Sequence, residues 1–348
     1  MKRFVFVLAL LVPFTLFTQI KFDILDVGSD KIVLEIKNQT KNDIELFISL
    51  EKFKKTSFYF KELLNPNTSD KLDYSKLKPF PGIGNFLSKV PKGKVQKFEI
   101  FSLEPKREYY IYAFQRSKDS VKVLQSFLFN TLAEKPSRQA SQLAFSEITD
   151  TSIVMSWLNG NGEGRIVVIG PPKDFSKPKN GTAYPSSQVY GKESSKLGNC
   201  YVVYDGKDLR PKITISNLKP ATQYQVSLFE YNGNGNYRHY NFEQSSNNPR
   251  VFITKISTPK IISIDGTQEE TWLVRWEKVN GAKTYILDLA LDKEFKELVE
   301  SYQNLDVGDL GEFELSDLKP RTKYFVRLKA KGEHSESAYS PVFEFQTK

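Results

Sequence analysis

The side chains best placed to do chemistry in this 348-residue chain are few: two histidines, one cysteine, and a Tyr-Arg-His-Tyr cluster. His239 and His334 lie far apart, with no Cys or acidic cluster at the spacing a metal ion requires. Cys200 begins a strand-like Cys-Tyr-Val-Val-Tyr run, the setting of a buried, inert thiol rather than a nucleophile. No Gly-x-Ser-x-Gly elbow occurs, and no motif selects a pair from the scattered Asp and Glu. The expectation is a noncatalytic protein with no cofactor and no metal.

Contact chemistry is better represented. In the stretch Gly233–Phe242, Gly and Asn supply the positive φ angles of a turn. Tyr237, Arg238, His239 and Tyr240 supply bulky groups of the kind that anchor interfaces. A second set is Tyr110, Tyr112 and Phe114, which alternate with Tyr109, Ile111 and Ala113 and so face away from them in a strand. Such a stripe can stack on sugar rings or a partner. The rival is that Phe58, Tyr59, Phe60, Phe80 and Phe86 cover it as an extension of the core. Burial at roughly 1.5–3 kcal/mol per ring favours the covered arrangement. These seven residues are the candidate partner contacts. Lys89, Lys92, Lys94 and Lys97 form a basic stretch that can attract anionic surfaces but reads equally as a solvated loop.

These groups hang on a repeated element. Leu-x-Pro-x-x-x-Tyr occurs three times, as Leu103-Glu104-Pro105 with Tyr109, Leu218-Lys219-Pro220 with Tyr224, and Leu318-Lys319-Pro320 with Tyr324. Apolar residues alternate after each Tyr, as in Tyr224, Val226, Leu228, which marks a strand with one buried face. Pro turns the chain where no ladder donor is needed. The Tyr can bury its ring while its hydroxyl reaches the upstream backbone, a tyrosine corner. Each corner has an upstream partner strand with one apolar face: Ile32, Leu34, Ile36; Ile153, Met155, Trp157; and Trp272, Val274, Trp276. Repetition at this length indicates a tandem array of all-β domains.

The inward Trp, the three corners, and the closing strands Arg250-Val251-Phe252-Ile253 and Phe343-Glu344-Phe345 resemble the fibronectin type III family. The third copy matches best. The second resembles a long variant common in exported Bacteroidetes proteins, with Leu197-Gly198-Asn199, Tyr201–Gly206 and Phe229–Gly233 as its marks. The first departs most, with Ile36 where Trp is usual. The resemblance implies a sandwich of three- and four-stranded sheets in each copy, with no family catalytic residues. The expected fold is all-β: three tandem fibronectin type III-like β-sandwiches in an elongated array, over 19–133, 137–255 and 258–348.

Two insertions give the chain its individuality. One, Phe53–Lys97, includes a segment Ser57–Leu64 that suits one or two helical turns; the other is Gly170–Cys200. Long segments without evident strands are usually functional or mobile.

Lys2 and Arg3 precede an uncharged run from Phe4 to Phe17, which reads as a secretory signal peptide over residues 1–18 and is too short for a membrane anchor. A lone cysteine in an exported chain points to a bacterial envelope or surface protein rather than a disulfide-stapled one. Residues 19–135 carry 21 basic and 15 acidic side chains, 136–257 carry 14 and 9, and 258–348 carry 13 and 17. The first two domains are therefore basic and the third acidic. Lys dominates over Arg, the residue suited to phosphate and base recognition, so nucleic acid is not an expected partner. The reading is an exported binding protein whose partner is an extracellular or envelope protein or a polysaccharide, with no membrane span after signal cleavage. The alternatives are a structural spacer or assembly component of an envelope complex, and a cryptic glycan-active hydrolase.

Overall fold

The computed structural model describes residues 19–54, 57–59, 64, 69–80, 82–209, 211–266 and 271–348. The proposed signal peptide lies outside the described residues. Among those described, no helix is long and apolar enough to cross a membrane.

The first sandwich contains β1 (Ile20–Val27), β2 (Ile32–Asn38), β3 (Ile44–Ser49), β4 (Ser57–Tyr59), β5 (Lys71–Asp73), β6 (Pro79–Phe80), β7 (Gly84–Val90), β8 (Val95–Phe101), β9 (Glu108–Ser117) and β10 (Ser120–Asn130). Its sheets run β1-β2-β8-β5 and β4-β10-β9-β3-β7-β6. The second contains β11 (Ser141–Ser146), β12 (Ile153–Leu158), β13 (Gly164–Gly170), β14 (Lys196–Leu197), β15 (Cys200–Gly206), β16 (Lys212–Ile215), β17 (Gln223–Asn232), β18 (His239–Tyr240) and β19 (Arg250–Ile253). Here β11-β12-β16 faces β14-β15-β13-β17-β18, with β19 also paired to β17. The third contains β20 (Lys260–Gly266), β21 (Trp272–Glu277), β22 (Ala282–Ala290), β23 (Leu305–Asp306), β24 (Glu312–Leu315), β25 (Lys323–Gly332) and β26 (Phe343–Gln346). It has the simplest arrangement, β20-β21-β24 against β23-β22-β25-β26. That is the three-plus-four pattern expected of every copy; the first adds edge strands drawn from its insertion, and the second adds β14 from its insertion and β18 from the Gly233–Phe242 stretch.

The alternating residues do what their period dictates. Ile32, Leu34 and Ile36 are buried in the first core, Ile153, Met155 and Trp157 in the second, and Val274 and Trp276 in the third. The corners form as expected. The hydroxyls of Tyr109, Tyr224 and Tyr324 each accept the backbone N–H five residues upstream, of Glu104, Lys219 and Lys319, at 2.9 Å in all three. The residue after each corner proline, Lys106, Ala221 or Arg321, has φ of 55°, 47° or 50°, the left-handed conformation that closes the turn.

A second clamp recurs that the sequence pattern alone did not reveal. The hydroxyls of Thr131, Thr254 and Thr347 donate to the carbonyls of Glu104, Lys219 and Lys319 at 2.6–2.7 Å. Each also accepts the N–H of Arg107, Thr222 or Thr322. One residue per corner therefore has its N–H fixed by Tyr and its C=O fixed by Thr, which satisfies the backbone of a turn removed from the ladders.

One helical expectation fails. Ser57–Tyr59 is a strand on the free edge of β10, with Val121 opposite Phe58. An open row of ladder partners and aromatic β-propensity outweigh a short helix's costly nucleus; Phe60–Leu63 lie outside the described residues.

Two compact units result. One comprises the chain up to Glu134 together with Gly233–His239; the other comprises Lys135–Asn232 and Tyr240–Lys348.

Candidate functional site

The aromatic stripe of β9 is covered. Tyr112 and Phe114 are buried in a second core with Phe47, Leu64, Phe80, Ile83 and Phe86, and Tyr110 packs at its margin. Phe47 meets Phe80, Phe86 and Phe114 edge-on at centroid distances of 5.8, 5.4 and 5.1 Å, the geometry aromatic quadrupoles prefer. The Tyr112 hydroxyl accepts the Phe53 N–H at 2.8 Å. Tyr112 and Phe114 are therefore not open contact groups. Of the proposed covering rings, Phe80 and Phe86 do the covering; the side chains of Phe58, Tyr59 and Phe60 lie outside the described residues.

The Gly233–Phe242 stretch is likewise engaged. In the first compact unit the Ala133 N–H donates to the Tyr237 carbonyl at 2.7 Å, and His239 Nδ1 lies 2.9 Å from the Ala133 carbonyl. Arg238 is buried. Tyr240 is wholly buried: its N–H donates to Asn180 Oδ1 and its hydroxyl to the Thr182 carbonyl, each at 2.9 Å, and its ring meets Tyr231 edge-on. The buried set of the corner strand therefore extends beyond the alternating Tyr224, Val226 and Leu228. Phe229, Tyr231 and Tyr240 join Ile166, Val168 and Val202 in a second core, which Phe175 and Tyr184 of the Gly170–Cys200 insertion cover. Of the four loop residues, Tyr237 and His239 are half-exposed, and both sit on the segment that holds Ala133.

Glu230 and Cys200 are committed to structure. Glu230 is fully buried, and its oxygens accept the N–H groups of Gly160 and Gly162 at 2.9 Å and the Arg165 guanidinium at 3.1 and 3.3 Å. It is a paired, fully bonded charge that fixes a loop, not a general base. Cys200 is buried where burial pushes its thiol up from the ordinary range, against what a nucleophile needs. A Cβ on Gly170 would come within 2.4 Å of its sulfur, which accounts for glycine there. Lys89 pairs with Glu45, whereas Lys92, Lys94 and Lys97 are exposed.

What the insertion leaves open is a groove of about 540 Å³ beside the second corner. Its construction follows from the chain. The Ser187 N–H donates to the Val202 carbonyl, and the segment then runs beside the end of β16. The Tyr190 N–H donates to the Ser216 carbonyl at 2.9 Å and Asn217 Nδ2 to the Tyr190 carbonyl at 2.8 Å. Tyr190 is thereby fixed edge-to-face against Tyr201 of β15 and Tyr224 of the corner, at 4.8 and 5.2 Å between ring centroids. Partial burial pushes its phenol up to about 12. Around these rings stand Asn199, Asn217, Gln223, Thr222 and Lys219. The lining holds no carboxylate and no imidazole. Sequence reasoning marked the insertion but missed these residues, because the groove needs a loop, a strand start and a corner that the sequence spaces well apart.

No family model matches the chain. Over 119 residues, 33% of its length, the chain is 29% identical to tenascin of Mus musculus, and that stretch spans 5% of the relative. Among solved structures, the chicken CNTN1 FN1–FN3 domains align over 94% of this chain and 98% of theirs, at 14% identity and a TM-score of 0.26. The two-domain fibronectin type III segment of chicken tenascin aligns over 60% and 99%, at 14% identity and 0.35. Superposition at these scores adds nothing to the topology, which rests on the sheet orders and the three clamped corners. The chain is a tandem of fibronectin type III-like β-sandwiches.

Proposed function

We propose that the chain is an exported, noncatalytic binding protein of the cell envelope or surface, and that it holds its partner at the groove beside the second corner. The observation that carries this is the lining: aromatic rings, amides, a hydroxyl and one ammonium, with no acid–base pair. Such a surface can orient and retain a ligand but offers no carboxylate or imidazole to move a proton at a reacting bond. The proposed domain limits are 19–133, 137–255 and 258–348, and the proposed leader is residues 1–18.

The test uses the mature chain with suspended polysaccharides and with an envelope extract. The expected outcome is retention without turnover, lost in Tyr201→Ala. New reducing ends, or retention indifferent to Tyr201→Ala, would overturn the reading.

A spacer is the second reading, favoured by the join between the last two sandwiches. There the Ser257 hydroxyl donates to Asp150 Oδ2 and the Ile256 N–H to the Ser335 hydroxyl, each at 3.2 Å.

A further inference from the structure

From the same groove, and resting on the binding function just proposed, we infer that the ligand is a neutral oligosaccharide, a short stretch of an uncharged polysaccharide. Tyr190 and Tyr201 are both half-exposed, and neither hydroxyl makes a hydrogen bond among the described residues. Asn199 has its Oδ1 engaged by the Ser176 hydroxyl at 2.6 Å, which orients the amide and leaves its NH₂ without a partner among the described residues. Gln223, exposed at the start of β17, adds a second side-chain amide.

A pyranose carries apolar C–H faces and a rim of hydroxyls that both donate and accept. Half-exposed phenol rings match the first feature, and amides, which also donate and accept, match the second. The absence of carboxylates leaves no anionic group to pair with a cation or a basic peptide. Lys219 is the single cation in the lining, too little for a polyanion, which is held by clusters of basic groups. A protein hot spot wants a dry apolar centre ringed by polar groups; here free polar atoms stand among the rings. The volume falls within the range of small-ligand clefts.

The insertion's own bonds keep this arrangement standing without a ligand. Tyr190 is held at its N–H and its C=O, so the ring is already positioned before any sugar arrives. Preorganisation of this kind lowers the entropy lost on binding.

The experiment is affinity electrophoresis followed by calorimetry of the mature chain against cellohexaose, mannohexaose, xylohexaose and chitohexaose, with polygalacturonate as the anionic arm. At least one neutral hexaose should bind, with an affinity unchanged between low and high salt. Tyr201→Ala should weaken it roughly tenfold or more, Gln223→Ala should weaken it without altering the thermal midpoint, and Tyr201→Phe should retain most of it. Binding to polygalacturonate alone, lost in high salt and in Lys219→Ala, overturns the neutral ligand. Failure of every saccharide alongside Tyr201-dependent retention on a protease-sensitive envelope fraction sinks the sugar but leaves the binding function. Failure of both sinks both.

Discussion

The Tyr224 hydroxyl accepts the Lys219 N–H at 2.9 Å, while Thr254 holds the carbonyl of that same lysine at 2.6 Å. The two side chains divide one peptide-flanked residue between them. Tyr224→Phe removes the acceptor and leaves a partly buried N–H unpaired, at an expected cost of about 1–3 kcal/mol. Thr254→Val should cost a similar amount, and the double variant should fall short of the sum, because both act on one turn. Urea denaturation of the four proteins checks this; strict additivity would show that the corner is not a single clamp.

Tyr237 and Tyr240 stand three residues apart and should behave oppositely. Tyr240→Ala empties a fully buried ring site and should cost about 3–5 kcal/mol. Tyr237→Ala, half-exposed and bonded through its backbone, should stay within about 1 kcal/mol. Thermal or urea melts of the two variants distinguish them.

Trp276 is buried against Tyr285 at 5.4 Å, yet its indole N–H has no partner among the described residues. Trp276→Ala should therefore cost about 3–5 kcal/mol. Trp276→Phe should cost distinctly less, since no hydrogen bond is lost with the indole nitrogen. If Phe proved as harmful as Ala, the N–H would have to be bonded.

Tyr190 and Tyr204 have phenols pushed up to about 12, in both cases chiefly by burial. The folded state therefore favours the neutral form. Its contribution is fully present below the ordinary phenol value near 10 and is lost as pH rises from there through about 12. Ultraviolet titration should show a late phenolate step, and Tyr190→Phe should remove part of it. Stability indifferent to pH across that window would contradict the burial.

Much of the fold was legible in the sequence because its signals are local. Alternation named the inward faces, as with Ile32, Leu34 and Ile36, and Leu-x-Pro-x-x-x-Tyr named the corners. The outer faces were harder. Alternation places Tyr112 and Phe114 opposite Ile111 but cannot say what covers them; Phe80 and Phe86, from the insertion, do so. Tyr240 looked like a loop residue because its partners, Asn180 and Thr182, lie in a segment with no periodicity. Ser57–Tyr59 suited a helix until an open edge on β10 offered it a ladder. The groove escaped notice for the same reason. Tyr190 is brought to Tyr201 and Gln223 by its hydrogen bonds with Ser216 and Asn217, and no spacing rule reports those.

The recurrent threonine has a mechanical meaning. Thr254 and Thr347 stand just past the last strand of their sandwiches and are bonded to the corner at both its carbonyl and its N–H side. Tension entering a module from its C-terminal side would meet this tether before the first ladder bond of β19 or β26. The load would pass to the corner, and through the buried tyrosine into the core, instead of peeling the last strand away one bond at a time. A protein pulled by what it holds would then yield at a threshold, not by gradual fraying.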